Sequence, residues 1–388
     1  MVYLDYSATT PVDARVMDAM MPFFANYFGN PSSVHRYGQV AEAAVDSARE
    51  RVASVLNCRA DEIIFTSCGS EADNLAIRGA AYAMREKTGA TWILASRAEH
   101  PAVTKTLLHL ETYEGFRLEW LDVDEHGRVL PETVARALCD GTAIVSVMYA
   151  NNEIGTINPI HEIGALCRAK NIPFHTDAVQ AAAYLPVDVR ALGVDMMSLG
   201  AHKFYGPKGV GALYVRKGTP LIPQLTGGGQ EFSLRAGTHN VPYIVGFAEA
   251  LRVTDQEREQ RTTHVKPLRD QVIGTVLETI PESRLTGHMS ARLPHHASFA
   301  FKGVDGNLLL TLLDAAGFAC SSGSACKTGN PEPSEVMNAI GLSPEWGLGS
   351  LRVTLGRDTT PGDIESFLQA LPGLVQKARR LHQPVSQS

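Results

Sequence analysis

The chain has 388 residues, 44% hydrophobic and 20% charged, with a formal net charge of −6, which excludes a disordered or fibrous protein and suits two domains. Its Lys and Arg residues are scattered rather than drawn into a basic stripe, no apolar run reaches the ~18 residues of a membrane span, and the opening Met1-Val2-Tyr3-Leu4-Asp5-Tyr6 is no secretion signal. The six cysteines include no Cys-x-x-Cys, which argues against a disulfide framework or a zinc site, so the expectation is a cytoplasmic α/β enzyme with no metal, no direct nucleic-acid partner and no membrane.

In chain order, residues 63–65 read as a short buried strand ahead of a run of small residues and a helix start. Short apolar runs at 92–95, 118–123, 143–148, 172–175 and 196–199 read as further buried strands. Amphipathic stretches at 102–111 and 160–170 lie between them, the second with Pro159 at the first helical position. This alternation predicts a mainly parallel sheet covered by helices on both faces. Residues 210–215 follow a strand across only a Gly/Pro-rich turn, so one antiparallel strand is expected to join it. A long helical pattern over 241–280 then changes the rhythm, with a polar middle at 254–263 that suits a connecting helix. A strand at 297–301, a helix at 308–316, a strand before Ser321, a strand at 350–355 and a helix at 364–381 follow. That is the pattern of a smaller α+β domain, ending in a frayed tail at 383–388.

Four segments carry residues suited to chemistry. Thr66-Ser67-Cys68-Gly69-Ser70-Glu71-Ala72-Asp73-Asn74 follows the first strand, and its backbone N–H groups at a helix start suit a phosphate. Alone it is more economically a capping box from Ser70 to Asp73. It lacks the Gly-Lys-Ser/Thr ending of a nucleoside-triphosphate loop. His175-Thr176-Asp177-Ala178-Val179-Gln180 ends an apolar strand in an acid, placed either to pair with a protonated ring nitrogen or to cap a helix. Lys203, in a Gly-rich turn after a strand, suits a Schiff-base lysine, with Lys208 as the rival. It stands 26 residues after Asp177, one helix and one strand on. Finally, Ser321-Ser322-Gly323-Ser324-Ala325-Cys326-Lys327-Thr328-Gly329-Asn330-Pro331 sets a thiol among small residues beside a lysine that favours its thiolate. The other five cysteines read as small buried hydrophobes.

These segments, in this order, resemble the NifS/IscS-type cysteine desulfurases, a branch of the fold-type I pyridoxal-phosphate enzymes. The resemblance extends to Tyr3-Leu4-Asp5-Tyr6-Ser7-Ala8-Thr9-Thr10-Pro11, Ala98-Glu99-His100-Pro101, Ala150-Asn151-Asn152-Glu153-Ile154-Gly155, Gly227-Gly228-Gly229-Gln230-Glu231, Arg235-Ala236-Gly237-Thr238 and Leu351-Arg352-Val353. It implies a mainly parallel seven-stranded sheet in a large cofactor domain at 16–258, and a small domain from 1–15 and 259–388 that carries the cysteine loop. It implies that Lys203 binds pyridoxal 5'-phosphate covalently and then takes the substrate Cα proton, and that His100 stacks on the ring and assists proton transfer. Asp177 would pair the ring nitrogen, and Asn152 and Gln180 the ring hydroxyl. Gly69, Ser70 and His202 would hold the phosphate, joined by Thr238 from the second subunit of a homodimer. Arg352, helped by Asn152, would bind the carboxylate of L-cysteine. Cys326 would receive the sulfur as a persulfide and pass it to an acceptor protein of iron–sulfur assembly or another thiolation pathway. The alternatives are a selenocysteine lyase, an aminotransferase of the same fold, or an inactive scaffold built on it. Two departures stand out: Gly200 occupies a place where many relatives carry serine, and Cys68-Gly69-Ser70 replaces the Gly-Ala-Thr of the housekeeping branch.

Overall fold

A computed structural model describes residues 1–323 and 332–382; Cys326, Lys327 and the tail at 383–388 lie outside the described residues. Twelve strands are formed by the described residues: β1 (Val2–Tyr3), β2 (Ile63–Thr66), β3 (Trp92–Ser96), β4 (Arg117–Leu121), β5 (Thr142–Ser146), β6 (Phe174–Asp177), β7 (Met196–Gly200), β8 (Gly211–Val215), β9 (Ser283–Leu285), β10 (His296–Phe301), β11 (Phe318–Ala319) and β12 (Ser350–Thr354).

Seven of them make one sheet in the order β2-β8-β7-β6-β5-β3-β4. The ladders from β7 through β4 are parallel, and β8 runs antiparallel to both β2 and β7. Every residue of β5, β6 and β7 is buried, as expected of strands covered on both faces, which is why they read as unbroken apolar or small-residue runs. The edge strand β4 instead exposes Arg117 and Glu119, charges that discourage pairing with a second sheet. Helices Gly69–Thr88 and Pro101–Glu114 pack against each other, the former also lying across β5, β7 and β8.

The 39-residue helix Val241–Thr279 packs on helix Arg36–Leu56 at one end and on β9, β10 and helix Pro361–His382 at the other. It thereby joins the large sheet to a second, antiparallel sheet in the order β12-β10-β9. Its polar middle is not simply solvated. Arg261 is buried, bonds Glu257 and Thr254, and lies 4.5 Å over the Tyr205 ring. The amino-terminal strand β1 pairs in parallel with β11, so the first residues of the chain lie beside the segment leading to Cys326.

Several boundaries differ from the sequence reading. The strand expected at 172–175 starts later, at Phe174, because Asn171 turns with φ 55° and Pro173 has no N–H to give a ladder. Asp177 closes β6, as the sequence reading had it. Pro159 is the N-cap of helix Ile160–Ala169, not its first residue. Val123, expected in β4, makes only an isolated bridge to Val129.

Candidate active site

At the carboxyl ends of β2, β3, β6 and β7, where open α/β sheets bind ligands, lies a cavity of about 260 Å³. Each of those strands delivers residues to it: Gly69 and Ser70 after β2, His100 after β3, Asp177 and Gln180 from β6, His202 and Lys203 after β7. Asn152 and Arg352 complete the wall. Nine of the residues singled out from sequence thus converge on one space. Thr238 does not line it; it is exposed on the segment that precedes helix Val241–Thr279. Lys208 is exposed and also stands apart.

The Lys203 ammonium donates to the backbone oxygens of Ser7 and Ala8 at 2.6 and 2.8 Å. Burial, together with the charge of Arg352, lowers its pKa to about 8, against the pull of Asp5 and Asp177. His100 caps helix Pro101–Glu114, its Nδ1 accepting from the Ala102 amide at 3.0 Å. The neutral ring therefore carries its hydrogen on Nε2. Burial lowers its pKa, Lys203 adds to the effect and Asp177 opposes it. His202 is pushed down to about 4 by burial and by Lys203 and Lys208, and its Nδ1 meets Thr9 Oγ1 at 3.2 Å.

The floor of the cavity is acidic. Asp177 Oδ1 accepts from the Val179 amide at 2.8 Å, closing a turn; no helix begins there, so the capping alternative fails. Burial raises its pKa, opposed by His100, the Val179 amide and Lys203. Asp73 and Glu99 are fully buried, and burial, with Asp177 adding to it, raises both well above the ordinary range. His175, held at 2.9 Å by both Ser146 and Ser198, is pushed down to about 3 by burial and stays neutral. Asp73, His100 and Asp177 bring ligand atoms within 4.8 Å of one another, a cluster the sequence spacing did not disclose, and Asp73 Oδ1 has no hydrogen-bond partner among the described residues. A buried acidic floor with an orphaned oxygen suits a cationic partner such as a protonated ring nitrogen.

A second part of the lining suits an anion. Helix Gly69–Thr88 begins there, and its first amides have no intrahelical acceptor. The cap is Cys68, whose Sγ accepts from the Glu71 amide, so the capping box from Ser70 to Asp73 is not formed. A Cβ on Gly69 would stand 2.7 Å from Val179 Cγ2, so this helix start packs closely on the turn after Asp177. The lining thus offers partners both for a protonated ring nitrogen and for a phosphate.

Arg352 lies on β12 and is buried. Its Nη2 bonds Asp5 Oδ1 and its Nη1 the Asn152 backbone oxygen, each at 2.9 Å, while Nε has no partner among the described residues. Asp5 also accepts from Ser321 Oγ at 2.7 Å, which ties the start of the cysteine segment to the same guanidinium. Gln180 donates to the Ser7 oxygen at 2.9 Å. Asp5, Ser7 and Ala8 are parts of the site that sequence reasoning had assigned no role, and Asp73 had been read only as half of a cap. The expectation of five buried cysteines is also corrected: Cys167 is buried, Cys58 and Cys320 are half-buried, and Cys68 and Cys139 are exposed. Cys68 caps a helix at the cavity wall, where a thiol can face open space and still accept a bond.

A family model described as aminotransferase class-V matches residues 2–367. A curated relative named cysteine desulfurase IscS, from Clostridium botulinum (strain Hall), is 46% identical over 382 residues, covering 98% of this chain and 96% of that one. A solved structure named NifS-like protein superposes with a TM-score of 0.90 at 35% identity, covering 97% of this chain and 99% of its own. Another, SspA in complex with cysteine, gives a TM-score of 0.79 at 32% identity over 93% of this chain and 100% of that one. Among the described residues, no helix is long and apolar enough to cross a membrane.

Proposed function

Since the chain belongs to the class-V aminotransferase family, we propose that it is a pyridoxal-phosphate-dependent cysteine desulfurase, converting L-cysteine to L-alanine and transferring the sulfur to its own Cys326. The observation that carries this reading is the convergence of Lys203, Asp177, His100, Arg352 and the Cys68-Gly69-Ser70 helix start on one cavity. Relatives with the same activity in their names, 46% identical across nearly the whole chain, support it. So does a structural neighbour solved with cysteine.

The cofactor, when bound, supplies an electron sink that acidifies the substrate Cα–H. Lys203 would anchor it and, with its pKa lowered to about 8, offers a neutral Nζ for the Cα proton in a minority of molecules at neutral pH and in most of them above pH 8. Asp177 would hold the ring-nitrogen proton, and His100 would face the ring with its Nε2–H available to donate. Gln180 and Asn152 would bond the ring hydroxyl. Gly69, Ser70 and His202 would hold the phosphate, with Thr238 from a second subunit. Arg352, already fixed by Asp5, binds the substrate carboxylate, with Asn152 beside it. Cys326 as thiolate attacks the substrate sulfur, forming an S–S bond as the C–S bond breaks, and an acceptor protein later removes the persulfide sulfur. The division at 16–258 and the setting in the cytoplasm belong to the same proposal.

Cys320 is the rival sulfur acceptor. Burial, with Asp5 adding to it, pushes its thiol well up, so it is a poor thiolate. The test is Cys326→Ser. The variant should bind the cofactor and exchange the Cα proton of cysteine with solvent deuterium, yet release little alanine. Wild-type protein given cysteine without reductant should gain one sulfur atom on the peptide that contains Cys326. Sulfur found on Cys320 instead, or normal alanine production by Cys326→Ser, would falsify the reading.

A further inference from the structure

The helix Gly69–Thr88 places a carboxylate, Glu71, in the very turn whose amides line the cavity. An anion at those amides is drawn by the helix dipole and repelled by that side chain. Glu71 is not a bare charge, however. Arg235 grips it with Nε on Oε1 at 2.7 Å and Nη2 on Oε2 at 3.2 Å, and Oε2 also accepts from the Ser67 amide at 2.7 Å. The two side chains are only 20% and 24% exposed, so solvent screens the pair weakly. Burial alone would raise the Glu71 carboxyl, but Arg235 and Ser67 outweigh it and keep the group ionised.

Arg235 is itself held in place from its own segment. Three successive residues before it, Glu231, Phe232 and Ser233, take positive φ of 48°, 56° and 66°, a costly conformation for side chains of that size. A buried fork fixes it: Arg49 bonds both Glu231 oxygens at 2.7 and 2.8 Å, His239 adds a bond at 2.7 Å, and the Phe65 amide donates to Glu231 at 2.9 Å. Residues 231–235 thus clamp the connection between β2 and the helix at both ends, at Phe65 and at Glu71.

We propose that Arg235 is a positioning residue for the cofactor phosphate: its pairing with Glu71 cancels a negative charge beside the phosphate-binding turn and fixes the path of that turn from Ser67 to Glu71. This rests on the reading of that turn as a phosphate cradle. Arg235 serves the turn of its own chain, whereas Thr238, three residues on, is assigned to the neighbouring subunit.

The test compares pyridoxal 5'-phosphate with pyridoxal, which lacks the phosphate, by titrating apoprotein at low ionic strength. R235Q should weaken pyridoxal 5'-phosphate by about tenfold, the effect of uncovering one charge near another, and leave pyridoxal unchanged. E71Q/R235Q, which removes both charges and leaves an amide at each position, should recover most of the loss. Equal weakening of both ligands by R235Q, or a double variant as weak as R235Q, overturns the proposal and leaves Arg235 a merely structural residue. Should R235Q fail to fold, E71Q alone decides: tighter binding of the phosphorylated ligand sustains the idea, and unchanged or weaker binding refutes it. Failure of the cradle reading shows itself separately, as unmodified apoprotein that binds pyridoxal 5'-phosphate no better than pyridoxal.

Discussion

Lys203 stores free energy that only its environment explains. Burial and Arg352 lower its pKa from 10.5 to about 8, so in the folded apoprotein the amine gives up its proton before it would in the unfolded chain. Between those two values the unfolded state binds more protons, and stability must rise with pH across that window. Lys203→Ala lacks the group, so the apoprotein difference, wild type minus variant, should grow from pH 8 to about 10.5 in chemical denaturation. A difference that is flat or falls there would contradict the buried, proton-poor amine. Lys203→Ala should also abolish the cofactor's visible absorbance and nearly all turnover, because anchor and base are lost together. Lys208→Ala, exposed and away from the cavity, should keep both.

At the scale of elements, the site depends on a close fit between a helix start and the turn after β6. A Cβ on Gly69 would meet Val179 Cγ2 at 2.7 Å, whereas one on Gly200 would meet Val179 Cγ1 at 3.4 Å, an ordinary contact. Gly69→Ala should therefore cost about 1–3 kcal/mol by overpacking and weaken cofactor binding, and Val179→Ala in the same chain should restore part of both. Gly200→Ser, whose Cβ has room at that position, should cost less stability than Gly69→Ala. Equal denaturation midpoints for Gly69→Ala and wild type would mean that the helix start yields freely. The same contrast explains what sequence could disclose. The buried strands were legible because parallel strands covered on both faces are apolar throughout, and Asp177 and Lys203 were legible because one closes such a strand and the other lies in the turn after one. Partners were not. Asp5 meets Arg352 across 347 residues of chain, and the Lys203 amine is held by backbone oxygens of Ser7 and Ala8, which no side-chain pattern announces. Asp73 was read as half of a cap because its spacing from Ser70 fits one; the cap that forms is the Cys68 thiol, an uncommon choice that no preference scale would favour.

For the whole molecule, the position of Thr238 decides how many chains make a site. It is exposed and lies away from the cavity of its own chain, while the residues before it are fixed by Arg49–Glu231 and Arg235–Glu71. A segment so firmly anchored cannot swing Thr238 into its own site without breaking buried ion pairs, at a cost of several kcal/mol. If Thr238 serves a phosphate, the site belongs to another copy, and a two-fold dimer exchanges the two segments reciprocally. The consequence is measurable by mixing inactive parents. In a mixed dimer of Lys203→Ala with Thr238→Ala, one site combines both lesions, and the other receives an intact Lys203 from one chain and an intact Thr238 from its neighbour. Random pairing makes half of the dimers mixed, so about a quarter of all sites should regain wild-type turnover after co-refolding of equal amounts. If Thr238 acted within its own chain, each site of the mixed dimer would keep one lesion and mixing would restore nothing. A fully active monomer in sedimentation would be equally fatal, since a lone chain has no second subunit to supply the residue.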